Sequence, residues 1–270
     1  MSNQSTLRPV TALPPRSGIA PAAMAHRLAL MLAVLLATAA GAAPGSAAAA
    51  ETGWPMRAME PELRDLPSLQ RGLRLYVNYC LGCHSLRFQR YERTADDLGI
   101  PHDVALDTVV FTGQKIGDLM TTAMDTDQAR NWFGGPAPDL TMVTRVRGHE
   151  WLYNYLLTFY VDESRPFGVN NKVFENVGMP HVMLDLQGVQ RDACPAGAED
   201  CFELAVDAGT GLYSGEEYDQ AVYDLVNFLY YVGEPMRLER QRLGVYVLLF
   251  LAFLGVFTWL LNREFWKDVH

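Results

Sequence analysis

Cys80, Leu81, Gly82, Cys83 and His84 form a C-x-x-C-H run. Residues of these types at this spacing attach a c-type haem. Two thiols held two residues apart add across two vinyl groups of one porphyrin, and the imidazole that follows lies under the iron. His84 is therefore the expected proximal ligand. Two other chemistries use paired cysteines. A thiol–disulfide redox pair shows C-x-x-C without needing the histidine and sits in a βαβ pattern, which the chain does not show. A structural zinc ion takes four ligands, and Cys194 and Cys201 complete that count, so zinc stays open on numbers. Against it, the chain carries what reads as an export signal, and exported cysteines outside a metal or haem pair as disulfides. Cys194 and Cys201, which flank the turn-rich run Pro195-Ala196-Gly197-Ala198-Glu199-Asp200, are expected to bond to one another.

A haem needs a second axial ligand or an open face. Met179 stands between Gly178 and Pro180, in a turn and off any amphipathic face, where a thioether can reach an iron. His/Met ligation raises the reduction potential relative to His/His and leaves no open position, which suits electron transfer and not oxygen chemistry. His181 and Met183 are the rivals on the same stretch. Met120 and Met124 share a helical face with Ile116, Leu119 and Ala123 and read as core. Arg145 and Arg147 could each hold a haem propionate by two-point pairing, and surface solvation is the alternative for both.

The elements that would position these groups follow from period and punctuation. Leu69, Leu73, Tyr76, Val77 and Cys80 fall on one helical face, and Ser68 is the expected cap. That helix delivers the haem motif at its C-terminal end. Leu86 to Arg93 reads as further helix, broken by Asp96, Asp97, Ile100 and Pro101. Residues 114–129 read as helix, 131–140 as a Gly/Pro loop, and 143–160 as an aromatic-rich helix capped by Asp139 or Thr141. Residues 202–213 read as a returning strand and a Gly-rich turn. Ser214 and Glu217 make a capping box, the stripe Val222, Leu225, Val226 and Leu229 makes a second long helix, and Gly233 and Pro235 stop it.

The 270 residues carry a formal charge of −9. Residues 1–50 hold three arginines and no acid, so the remainder has 19 basic against 31 acidic residues, or −12. An acidic body argues against nucleic acid as partner and permits a basic protein partner, with Asp96, Asp97, Asp192, Glu199 and Asp200 as candidate docking charges. Arg27, the apolar run from Leu28 to Ala40 and the small-residue stretch behind it read as a signal peptide over residues 1–50, cleaved near Ser46–Ala50, with Met24 a candidate true start. Leu243 to Leu261 is 19 residues without a charge, enough to span a bilayer. Arg237, Arg240 and Arg242 precede the span and only Arg263 and Lys267 follow it, so the positive-inside rule alone would reverse the topology. The export signal and the haem motif set the expectation instead. On that expectation residues 51–236 are an exported haem domain, 243–261 a single stop-transfer membrane anchor, and 262–270 a cytoplasmic tail.

The haem motif, Gly135-Pro136-Ala137-Pro138-Asp139-Leu140, Arg145-Val146-Arg147, Asn170 through His181, Gly233-Glu234-Pro235 and the C-terminal span occur in this order. As an ordered set they resemble the cytochrome c1 family of proteobacteria, from about Trp54 to the C-terminus. Many relatives carry Pro-Pro where this chain has Ala137-Pro138. The resemblance implies a mainly α fold, a cytochrome c-like haem domain with long loops and one C-terminal transmembrane helix. It implies one covalent haem c on Cys80 and Cys83, axial ligands His84 and Met179, and Asn131, Pro138 and Arg145 beside the haem. It also implies a place in a dimeric bc1 complex with cytochrome b and the Rieske iron–sulfur protein, and cytochrome c as electron acceptor. Quinol oxidation then belongs to cytochrome b, with no substrate chemistry on this chain alone. The competing readings are a tethered cytochrome serving another reductase or oxidase, a thiol–disulfide exchange protein, and a haem enzyme with an open iron site.

Overall fold

The computed structural model describes residues 53–268 apart from 112, 196, 197, 199 and 200. The expected signal segment and the Met24 start lie outside the described residues. The chain divides into a body that runs to Arg242 and a second unit that holds the residues from Leu243 onward.

The body is mainly helical and is built on two long-range helix pairings. Helix α1 (Leu66–Leu75) continues through a π-helical turn, Tyr76–Cys80. Its cap is Asp65, whose carboxylate accepts the Ser68 N–H at 3.0 Å, and not Ser68 as the sequence suggests. Pro67 sits in the first turn, where a missing N–H costs nothing. Ser68 is instead fully buried, and its hydroxyl donates to Asp224 at 2.7 Å. Asp224 lies on α8 (Gly215–Gly233), which starts at the Ser214–Glu217 capping box. The two helices touch backbone to backbone at Gly72. A Cβ there would lie 2.1 Å from the Asp224 carbonyl oxygen and 2.6 Å from the Phe228 Cβ. Arg71 pairs with the buried Asp224 at 2.5 Å, so the carboxylate at the crossing is both charge-compensated and hydrogen-bonded.

Between these helices the chain departs from its periodicity in three places. Leu86–Arg90 is a strand, β1, and α2 (Tyr91–Leu98) follows with Asp96 and Asp97 inside it. Gly99, at φ +68°, ends that helix. Helix α3 (His102–Thr108) comes next. The stretch from 114 is a turn and a two-residue strand, β2 (Leu119–Met120), which pairs with β1. The helix there is α4 (Thr126–Phe133), capped by Asp125, so 131–133 belong to a helix and the loop begins at Gly134. The expected long helix over 143–160 is two, α5 (Val143–Val146) and α6 (His149–Leu157), and neither has a side-chain cap. Gly148, at φ +92°, divides them.

After α6 the chain makes two antiparallel hairpins around a short helix. Strands β3 (Phe159–Val161) and β4 (Val169–Asn171) pair, α7 (Leu184–Gln187) follows, and β5 (Gln190–Asp192) pairs with the returning β6 (Leu204–Val206). Cys194 and Cys201 are disulfide-bonded beyond β5 and β6, with Cα atoms 5.6 Å apart. Helix α6 packs on α8, where the Tyr218 hydroxyl donates to the Leu156 carbonyl at 3.0 Å. An extended N-terminal strap crosses both. Asn154 of α6 exchanges two hydrogen bonds with the Arg57 backbone, and Tyr223 and Asn227 of α8 donate to the carbonyls of Glu60 and Glu62.

Helix α9 (Arg237–Phe265) is the one described helix long and apolar enough to cross a membrane. It extends beyond the uncharged run at both ends. Arg237 and Arg240 in its first turn pair with Glu234.

Candidate haem site

The motif folds where α1 runs out. In the π-helical turn Leu81 N–H reaches back to the Tyr76 carbonyl at 2.9 Å, and the next turn closes from Cys83 and His84 onto the Cys80 carbonyl at 3.0 and 2.8 Å. This winding brings Cys80, Cys83 and His84 to the wall of one cavity of about 670 Å³. Both thiols are free. Burial pushes them up, Cys80 to about 12. A redox-active cysteine needs the opposite shift. Cys194 and Cys201 are bonded to each other and cannot complete a zinc site.

His84 is nearly buried, and its Nδ1 lies 2.7 Å from the Pro138 carbonyl oxygen. A carbonyl only accepts, so the proton is on Nδ1 and the Nε2 lone pair is left for a metal. Burial lowers the pKa of His84, which keeps the neutral, ligating form. The segment that presents Pro138 is itself tied down. Leu140 N–H donates to the Ser85 carbonyl at 2.9 Å, and Asp139 accepts from the backbone of Arg87 and Thr141.

Met179 reaches the same cavity from a different part of the chain. Its sulfur accepts a hydrogen bond from the Tyr155 hydroxyl at 3.4 Å. Two asparagines shape the approach to it. Asn171 Oδ1 accepts from the backbone N–H groups of Val173 and Phe174 while its amide donates to the Tyr155 carbonyl at 2.7 Å. Asn170 Oδ1 accepts from Asn171 and Asn176 N–H, both at 2.9 Å, and Asn176 takes φ +60°. Such Asx hydrogen bonding replaces a backbone ladder in a turn.

The rival ligands lie elsewhere. Met183 is 1 % exposed in the core. His181 stacks parallel to Phe159, with ring centroids 4.9 Å apart, and its Nε2 is bonded to Gln187 Oε1 at 2.7 Å. Burial pushes its pKa down to about 4. Neither residue is on the cavity wall. Met120 is fully buried in β2, paired with Leu86 of β1, as a core residue would be.

Of the remaining candidates, Pro138 is on the wall and Asn131 and Arg145 are not. Asn131 is exposed on the last turn of α4, and Arg145 pairs with Glu234 at 3.2 Å. Arg147 is on the wall, its guanidinium 5.1 Å from the Trp151 ring centroid and 5.7 Å from that of Phe174. Trp151 in turn stacks on Tyr155 at 5.0 Å. Tyr155 as partner of the methionine, and Asn170 and Asn171 as builders of its loop, were not singled out by sequence. The adjacent asparagines ahead of a Gly/Pro turn were the available signal.

These groups fit a haem. Two thiols at the right spacing, an imidazole with a free Nε2 and a thioether meet in a largely apolar cavity that also holds one guanidinium. Residues 61–269 match the Cytochrome C1 family. The chain belongs to the cytochrome c1 family. It is 47% identical to cytochrome c1 of Allochromatium vinosum over 241 residues, 88% of this chain and 99% of that one. It is 45% identical to a protein named ammonia monooxygenase gamma subunit of Nitrosomonas europaea over 206 residues, 76% of this chain and 85% of that one. Cytochrome c1 of Rhodobacter capsulatus is 26% identical over 238 residues, 75% of this chain and 83% of that one. Members of the cytochrome c1 family are electron-transfer haem proteins, and the membrane-length helix α9 fits a single-pass protein of that family.

Proposed function

We propose that this chain is the haem c subunit of a bc1 complex, where it accepts an electron from the Rieske iron–sulfur protein and passes it to a cytochrome c. The observation that carries the reading is the meeting of Cys80, Cys83, His84 and Met179 on one cavity. Haem bound there supplies a one-electron iron couple. Cys80 and Cys83 hold it as thioethers. His84, with its proton fixed on Nδ1 by Pro138, offers Nε2 to the iron, and Met179 offers sulfur. Together His84 and Met179 would leave oxygen no open site on the iron, which separates this reading from a haem enzyme. The cavity walls are largely apolar, and Arg147 on them would offer a positive charge to the propionate carboxylates.

In this reading residues 1–50 direct export and the body is periplasmic. Residues 243–261 anchor it in the inner membrane, and 262–270 remain in the cytoplasm. Cytochrome b is the membrane partner, the complex is a dimer, and quinol oxidation takes place on cytochrome b. The test is a pyridine haemochrome spectrum of the detergent-solubilised complex, with a haem stain on the denatured chain, for wild type and for the double variant Cys80→Ala/Cys83→Ala. Covalent haem on the wild type alone, beside b-type haem on a co-purifying partner, is the expected result. Covalent haem without a b-type partner would favour a free-standing tethered cytochrome. No covalent haem on the wild type would end the haem reading.

A further inference from the structure

His181 poses a problem that the axial ligand set leaves open. It lies two residues from Met179 on the same loop, and imidazole is a common ligand for haem iron. The fold must therefore keep it away. Gln190 and Gln187 show how. The Gln190 amide NH2 donates to two backbone carbonyls, Leu157 at 3.0 Å and Phe159 at 2.7 Å. Its Oε1 must then point the other way, where it accepts from the Gln187 NH2 at 3.1 Å. That NH2 also donates to the Leu157 carbonyl at 3.3 Å. With its NH2 committed to two oxygens, Gln187 has only Oε1 left for His181, at 2.7 Å. The amide oxygen accepts, so the proton is on His181 Nε2. The Leu157 and Phe159 carbonyls thus fix the orientation of each amide in turn, and the series ends on the imidazole. The ring's face is covered by Phe159, nearly parallel to it. Both glutamines are buried, so solvent does not compete for these bonds.

We infer that Gln187, oriented by Gln190, is a positioning residue that holds His181 off the iron and so selects Met179 as the sixth ligand. This rests on the reading of Met179 as that ligand. When the hold is lost, the Met179 sulfur leaves the iron and an unprotonated ring nitrogen of His181 takes its place, with no net change in protons or electrons. The second consequence is a fall in reduction potential, since thioether ligation raises it relative to His/His.

The test compares Gln187→Leu with wild type and with Gln187→Leu/His181→Phe in the solubilised holo-complex. The readouts are the far-red sulfur-to-iron charge-transfer band of the oxidised haem and the reduction potential. Gln187→Leu should lose much of the band and shift the potential downward, and the double variant should restore both. A folded Gln187→Leu protein with band and potential unchanged would overturn the inference. If Gln187→Leu does not assemble, recovery of assembly and band in the double variant supports the inference, and failure of both variants overturns it. Absence of the band from wild type would instead refute Met179 as ligand, a failure separate from that of the hold on His181.

Discussion

The Tyr155 hydroxyl donates to the Met179 sulfur at 3.4 Å, and the next link in the chain holds Tyr155 itself in place. Its carbonyl accepts from Asn171, and its ring stacks on Trp151 and meets Phe159 edge to face. With Met179 as the proposed ligand, a donor on its sulfur would draw electron density away and weaken its support of oxidised iron more than of reduced iron. Tyr155→Phe should therefore lower the reduction potential while leaving haem attachment intact. Loss of the hydroxyl costs about 0.5–1.5 kcal/mol of stability. Redox titration beside a thermal melt separates the two effects, and an unchanged potential would count against the bond.

Replacing Met179 by leucine removes the sulfur and keeps the bulk. With Met179 as the proposed iron ligand, the reduced Met179→Leu protein should bind carbon monoxide, which the wild type should ignore. Difference spectroscopy reads this directly. Carbon monoxide binding by reduced wild type would mean that the sixth position is open in the native protein.

Asn171 is fully buried and serves three backbone groups at once. Asn171→Ala strands two N–H groups and a carbonyl, at about 1–3 kcal/mol for a buried unsatisfied group. The loss should fall on the loop that carries Met179. Both the thermal midpoint and the far-red band should drop, and a lower midpoint with an intact band would confine Asn171 to general stability.

At Gly72 the crossing of α1 and α8 leaves no room for a side chain, since an added Cβ would meet backbone and a neighbouring Cβ. Gly72→Ala should destabilise the fold by about 1–3 kcal/mol, the usual cost of overpacking. Because α1 ends in the haem motif, the yield of haem-loaded protein should fall with the thermal midpoint. Unaltered yield and midpoint would show that the helices can move apart freely.

Glu217 accepts the Ser214 backbone N–H at 2.8 Å, and hydrogen bonds from Ser214 hold its carboxyl below the usual carboxylate value. A depressed folded-state pKa contributes stability above the unfolded value and loses it as pH falls through the folded one. Glu217→Gln keeps the cap geometry but cannot titrate. Thermal midpoints of the variant should therefore fall less steeply than wild type from neutral pH to pH 3, and parallel curves would refute the linkage.

Sequence alone determined the parts whose physics is local. The C-x-x-C-H spacing is a demand of one porphyrin. The capping box at Ser214 needs only four residues, and an uncharged run of 19 announces a membrane-length helix. Ile116, Leu119 and Met120 misled because a short apolar stripe has no fixed period. Met120 is buried by pairing across to Leu86, a partner 34 residues away. The cap of α1 moved to Asp65 because Ser68 is claimed by Asp224 from the other end of the body. The same cause separated the arginines. Arg145 and Arg147 are equivalent in sequence, and only the position of Glu234 drew one to an ion pair while Trp151 and Phe174 held the other at the cavity. His181 and Met179 likewise differ by what the fold places against them, which no spacing along the chain encodes.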